Sequence, residues 1–248
     1  MFDPASANLR DMFRARFEVV PAVSTALRDQ AFRIRHQVYC EDLGLEPRRD
    51  HGREFDEYDP HATQILLRQV ETGEFIGCAR AVETDSRDPL FPLPFERDCD
   101  EVLDRNLIDP GILPREHIAE ISRLAVIARY RHRKGEERMP YGASEDDFGT
   151  DHQPRFPYIL VGLYFGVATI SLLHGIDYVF VLTEPRVAQH LLRIGIDIAP
   201  IGRPVEYLGS RIPSVIRLER LIDEMNPAVR PLFTEIQAQV QRAYEQQG

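Results

Sequence analysis

Apolar and polar residues first alternate over Phe13 to Val20, which predicts an opening strand after a loose leader of residues 1 to 12. Ser24 then stands as a helix cap. Leu27, Ala31, Ile34 and Val38 follow at steps of four, three and four, one face of a helix that Gly44 ends. After a polar, acidic loop from Glu46 to Asp59, two strands are expected around Thr63 to Val70 and Phe75 to Val82, with Thr72-Gly73 as their turn. The prolines of Asp88 to Pro94 break regular structure, and a weak helix follows to Leu107. Ile118 to Ile127 reads as a central strand, and Tyr130 to Arg155 as a charged, flap-like insertion without periodicity.

From Phe156 to Ile176 no Asp, Glu, Lys or Arg occurs, and Gly162 with Gly166 forms a GxxxG. A membrane span with a dimerisation face is one reading. A buried helix is the stronger one: Pro157 suits its start, Gly175 its end, and a β-rich run, Tyr178 to Leu182, begins almost at once. A helix over Glu184 to Arg193, strand-like segments at Ile196 to Ile201, Pro204 to Leu208 and Ser214 to Leu218, and an amphipathic helix over Asn226 to Gln247 complete the pattern. The organisation expected is one α/β domain over residues 1 to 225, with the insertion at about 130 to 155, and a C-terminal helix over 226 to 248.

Composition narrows the function. At 43% apolar and 28% charged, the 248 residues can bury a sizeable core. The formal charge of −10 argues against a nucleic-acid-coating protein, which needs a dense basic face. Cys40, Cys78 and Cys99 form no CxxC pair and no Cys/His cluster suited to zinc, so no metal is expected and a reducing cytoplasm is the natural compartment. The N-terminal segment has neither a basic nor an apolar signal region. His190 and Cys78 read as structural. A Walker loop, GxGxxG, GxSxG and HExxH are all absent, which removes support for nucleotide hydrolysis, dinucleotide redox chemistry, serine hydrolysis and zinc proteolysis.

Four clusters remain: Arg35 with Tyr39 (RHQVYCEDLGL), Glu54, Asp56 and Asp59 (EFDEYD), Arg80 (GCARAVETD), and Glu120, Ser122 and Arg123 (EISRLAV). By residue type alone, Glu120 and Arg123 are equally an inter-strand ion pair, Asp56 and Asp59 loop-capping carboxylates, and Arg35 and Tyr39 a packed helix face. In order and spacing, however, they resemble the acyl-homoserine-lactone synthases, a branch of the GNAT acyltransferase fold, with its R-x-x-V-F, E-x-D-x-Y-D, G-C-x-R and E-x-S-R. The segment from Val181 to Val215 is similar to the C-terminal half of that family, with Thr183 at its strand-end threonine. The resemblance runs from about Phe17 to Leu218. It is strongest to the exosortase (PEP-CTERM)-associated acyltransferases and the N-acyl amino acid synthases.

The resemblance implies a twisted mixed central sheet flanked by helices, and amide formation from an acyl thioester. Glu120 is then the base that frees the acceptor amine, through water, and backbone N–H groups near Leu124, Ala125 and Val126 stabilise the oxyanion at a strand bulge. Asp56 and Asp59 are candidates for the acceptor ammonium; Arg80 and Arg123 either bind its carboxylate or brace those aspartates. Arg35, Tyr39, Ser122 and Thr183 complete the substrate-binding set, and Gly162 and Gly166 are expected to leave room for a long acyl chain along the apolar helix.

Two departures from the pattern carry weight. Where autoinducer synthases have Trp after L-G, this chain has Leu45, and it has no Trp anywhere, which argues against an S-adenosylmethionine acceptor. The GNAT pyrophosphate loop Q/R-x-x-G-x-G/A is missing; Arg129, Arg131, Arg133 and Lys134 stand in its place, a basic run suited to an acyl-carrier protein or simply to a solvated turn. The expected protein is therefore an N-acyltransferase with no tightly bound cofactor. It takes acyl-carrier protein, or acyl-CoA, as donor and a small amine, an amino acid, as acceptor, without nucleic acid or a membrane span; peripheral membrane contact stays open. The rivals are an acyl-homoserine-lactone synthase using S-adenosylmethionine and a non-catalytic acyl-binding protein on the same fold.

Overall fold

A computed structural model describes residues 4–84, 88, 90–131, 149–150, 153–154, 157–207 and 209–246. The chain enters through a helix, α1 (Pro4–Arg14), where a loose leader was expected, and strand β1 (Phe17–Pro21) starts four residues later than the alternation suggests. Phe13 explains the difference. It is fully buried, but it reaches the core from the end of α1.

Helix α2 (Thr25–Arg35) is capped by Ser24, whose Oγ accepts the Leu27 N–H at 3.3 Å. It runs on into a wider π-helical stretch, His36–Asp42, and Gly44 closes the segment at φ +64°. Strands β2 (Ala62–Gln69) and β3 (Phe75–Glu83) form the hairpin over Thr72-Gly73. The weak helix beyond the prolines is only α3 (Pro94–Cys99), followed by short 3-10 turns up to β4 (Ile118–Val126). Most of the 130 to 155 insertion lies outside the described residues; Gly149–Thr150 and Gln153–Pro154 pair as a two-residue ladder.

The apolar segment is α4 (Tyr158–Leu173), buried around most of its circumference; no helix among the described residues is long and apolar enough to cross a membrane. Strand β5 (Tyr178–Thr183), helix α5 (Pro185–Arg193), strands β6 (Ile198–Pro200), β7 (Val205–Glu206) and β8 (Ser210–Arg217) and helices α6 (Leu218–Glu224) and α7 (Arg230–Glu245) follow. The last helix starts later than read because Pro231, not Pro227, occupies its first turn. Its Leu232, Phe233, Ile236 and Val240 belong to the main core.

Eight strands form one mixed sheet in the order β1-β2-β3-β4-β5-β8-β6, with β7 on β8. Only β4 and β5 run parallel. On β3, Cys78 turns its thiol toward Ala31 O of α2, whereas a Cβ on Gly77 would meet Leu163 of α4 at 3.3 Å. Successive strand residues point to opposite faces, so α2 and α4 cover opposite sides of the sheet.

Candidate active site

The site begins where the sheet comes apart. β4 pairs with β5 from Ile118 to Ile121, opposite Tyr178 to Val181, and pairing then stops although both strands continue. Just beyond, the β3–β4 register shifts between Cys78 and Arg80, so that β4 carries one extra residue and bulges at Arg123, whose φ is +51°. Burial and buttressing hold this left-handed conformation: Tyr39 Oη donates to Leu124 O at 2.9 Å, and the Arg123 guanidinium lies 5.6 Å from the Tyr39 ring centre. A cleft of about 300 Å³ opens between the diverging strands. Glu120, Ser122, Arg123 and Leu124 of β4 line it with Val181 and Leu182 of β5.

Along one wall of the cleft and behind it, three guanidinium groups interlock with the acidic loop. Arg35 is fully buried, donating from Nε to Glu54 at 2.5 Å and as a fork to both oxygens of Asp59 at 2.6 and 3.0 Å. Arg80 donates to Ser122 Oγ at 3.0 Å and as a fork to Asp56 at 2.6 and 2.9 Å. The loop closes on itself as well: Asp56 N–H donates to Asp59 and Tyr58 N–H to Asp56. Arg123 makes longer contacts, 3.3 Å to Glu54, 3.3 Å to Glu46 and 3.2 Å to Asp56. Burial works against ionisation of Asp56, but the Arg80 hydrogen bonds and the neighbouring guanidinium charges hold its carboxyl well below the usual carboxylate range.

Glu120 differs from these carboxylates in accepting a hydrogen bond from no arginine. It is buried, it accepts the Phe95 N–H at the start of α3 at 2.6 Å, and burial pushes its carboxyl up to about 8 against the pull of that bond and of Arg80. A carboxyl of this kind, in a cleft wall, exchanges a proton near neutral pH. The bulge supplies the complementary group. Ile127 N–H donates to Ile76 O at 2.9 Å, so ladder alternation directs Ala125 N–H to β3 and turns Val126 N–H toward the side where pairing with β5 has ended.

Residues 34–140 match the family model described as acetyltransferase (GNAT) domain. Over that stretch the chain is similar to a GNAT acetyltransferase domain. TofI, solved in a ternary complex with an inhibitor and MTA, is 19% identical, with 86% of this chain and 99% of that one covered at a TM-score of 0.56. The CoA-dependent acyl-homoserine lactone synthase BjaI, solved with SAM and isopentyl-CoA, is 18% identical over 90% of each chain, TM-score 0.55. FeeM, an N-acyl amino acid synthase from uncultured soil microbes, is 17% identical over 85% of this chain and 96% of that one, TM-score 0.52. At these identities the likeness is one of fold. Among curated proteins no sequence matches.

Against that GNAT frame, several sequence expectations need correction. Arg35 and Asp59 do not line the cleft; they saturate each other behind it, which leaves Asp56 as the cleft-lining member of the aspartate pair. Gly162 and Gly166 face away from the cleft: a Cβ on Gly162 would meet Phe13 at 2.8 Å, and one on Gly166 would meet Val19 at 2.7 Å and Ile65 at 2.8 Å. They admit α1, β1 and β2 to the helix backbone, not an acyl chain. Thr183 is buried next to the Tyr164 hydroxyl and does not line the cleft. Of the basic run, Arg131 is buried and pairs with Asp42, so it presents no charge to a carrier protein; Arg129 is exposed and pairs with Glu74. Arg133 and Lys134 lie outside the described residues.

Other cleft residues escaped the sequence reading: Glu46, Tyr58, Arg97 and Asp98 on one side, Tyr164, Tyr207 and Arg211 on the other. Two of them left a signal: Tyr58 is the tyrosine of EFDEYD, and Tyr164 is a phenol inside an apolar helix. Leu45, the residue standing where autoinducer synthases have Trp, also lines the cleft.

Proposed function

We propose that the protein transfers an acyl group from a thioester donor to the amine of a small, carboxylate-bearing acceptor, an amino acid. The thioester carbonyl sits at the bulge, with its oxygen toward the Val126 N–H, which faces the gap between β4 and β5. Glu120 takes a proton from the acceptor ammonium, directly or through one water, and the amine attacks the carbonyl carbon. The C–N bond forms, the C–S bond breaks, and the thiol leaves with a proton. Asp56 and Glu46 offer negative charge to the ammonium, while Arg123, with the longest contacts of the three central arginines, turns toward the carboxylate. Arg80 and Arg35 hold the acidic loop against the bulged strand.

The observation that carries this reading is Glu120: a buried carboxyl, pushed up to about 8, in the wall of a cleft opened by the parting of two strands. The donor is carrier-bound in this reading, because RYRHRK offers no glycine loop to cradle a pyrophosphate; acyl-CoA is the alternative donor. Three buried free cysteines accord with a cytoplasmic setting. Because its fold is shared with acyl-homoserine-lactone synthases, the second reading is lactone synthesis with S-adenosylmethionine, and Leu45 in the cleft wall argues against it.

Purified protein is incubated with acyl-carrier protein or acyl-CoA and a panel of amino acids, following thiol release and N-acyl product by mass spectrometry. Glu120→Gln is expected to lose product while keeping acyl affinity. Release of methylthioadenosine from labelled S-adenosylmethionine overturns the amino-acid acceptor, and failure of every donor and acceptor pair overturns catalysis.

A further inference from the structure

Behind the cleft lies a second, smaller void of about 10 Å³. Ala168, Val179, Leu191, Ile196 and Ile216 are among its walls, and Tyr164 is its one side chain with a polar atom. An apolar void near the minimum size for a single water stays dry. Just two residues line both spaces, Ile121 and Tyr164. Ile121 is pinned in the sheet between Ala81 and Val181, so Tyr164 is the movable part of the partition. Its helix position explains the geometry. Two residues along a helix is about 160° round its axis, which turns Tyr164 and Ala168 away from the sheet-facing Gly162 and Gly166. The phenol is buried, and its position in both linings places the ring across the end of the cleft.

We infer that Tyr164 sets the upper length of the acyl chain the cleft accepts, by closing it off from the apolar interior beneath α4. The inference rests on the acyl-transfer reading of the cleft and deepens it. The ring is the terminus of the acyl path, and the space released by truncating it joins the cleft to a region whose other walls are hydrocarbon. A longer saturated chain then gains a dry, apolar lining in place of a steric stop.

The test is a series of saturated acyl thioesters of increasing length, with kcat/KM read for the wild type, Tyr164→Phe, Tyr164→Ala and the double variant Tyr164→Ala/Ala168→Leu. Each methylene newly accommodated contributes about 0.8 kcal/mol, or about fourfold in kcat/KM. Tyr164→Ala is expected to move the optimum up by two or more methylenes, Tyr164→Phe to leave it in place, and Ala168→Leu, which refills the void, to move it back. Where Tyr164→Ala does not fold, Tyr164→Leu gives a smaller shift of the same sign. The same panel is titrated calorimetrically with non-hydrolysable acyl-pantetheine thioethers. A length ceiling that shifts in binding while no variant transfers an acyl group supports the wall and overturns the acyl-transfer reading. An unchanged ceiling in a folded Tyr164 truncation, in binding and in transfer alike, overturns the wall.

Discussion

If Glu120 is the base, its titration must appear in the rate. Burial pushes this carboxyl up to about 8 from the ordinary 4.5, so about one tenth of the free enzyme carries the carboxylate at pH 7 and about 1% at pH 6. The kcat/KM for amide formation is therefore expected to climb about tenfold from pH 6 to 7, then about fivefold to pH 8, before levelling. Glu120→Gln keeps the shape and the Phe95 hydrogen bond but cannot take a proton, so it should lose about 10²- to 10⁴-fold in rate and lose the limb with it. The acceptor amine also titrates on the alkaline side, which makes the variant the deciding measurement. An ascending limb that survives in Glu120→Gln belongs to the acceptor, and Glu120 is then no base.

Stability supplies an independent readout with the opposite sign. A carboxyl raised above its unfolded value holds more protons in the folded state between about 4.5 and 8, so the folded state loses stability as pH rises through that window. The loss is on the order of a few kcal/mol. Denaturant midpoints of wild type and Glu120→Gln should thus diverge from pH 5 to pH 9 in favour of the variant. Parallel midpoints across that range would mean that the carboxyl is not held in its acid form.

Three further outcomes follow from the packing. Arg35→Ala strips the Nε bond from buried Glu54 and the fork from Asp59 and should cost about 3–5 kcal/mol in chemical denaturation, with Arg35→Lys recovering little because an ammonium cannot span both carboxylates. Gly166→Leu drives a side chain into Val19 and Ile65, so it should lower stability by about 1–3 kcal/mol and leave the chain-length profile of any remaining activity unchanged. His174 lies 2.6 Å from Glu83 and 2.8 Å from the Tyr244 hydroxyl of α7, and Glu83 raises its pKa. Its contribution is full below about pH 6.5 and fades as pH rises through the raised value, so His174→Gln should destabilise more at pH 5.5 than at pH 9, read from thermal midpoints.

The four sequence clusters do converge, because strands β3 and β4 and the π-helical end of α2 bring Arg80, Arg123 and Tyr39 round one bulge. Spacing along a strand has period two, which makes Glu120, Ser122 and the extra residue at Arg123 readable as one site. What spacing does not carry is which side chain is spent on which. Arg35 and Asp59 sit in the same motifs as Arg80 and Asp56, yet their forks close on each other out of reach of the cleft, and only the fold decides that. The glycines of α4 failed for a related reason: an apolar helix buried on nearly all sides has no moment to say which stripe meets the sheet.

The division of labour among these charges follows from one physical difference. Arginines hold Asp56 and Asp59 through forks and Glu54 through single Nε bonds from Arg35 and Arg123, which fixes the position of all three and, at Asp56, lowers the carboxyl's proton affinity. Glu120, given a single backbone donor and an apolar surround that includes Val82 and Phe180 at its paired positions, is held near the point of ionisation instead. The cleft thus separates carboxylates that hold the scaffold from the one that can exchange a proton. Adding a basic side chain next to Glu120 would erase that distinction, lowering its proton affinity and, by the same stroke, its strength as a base.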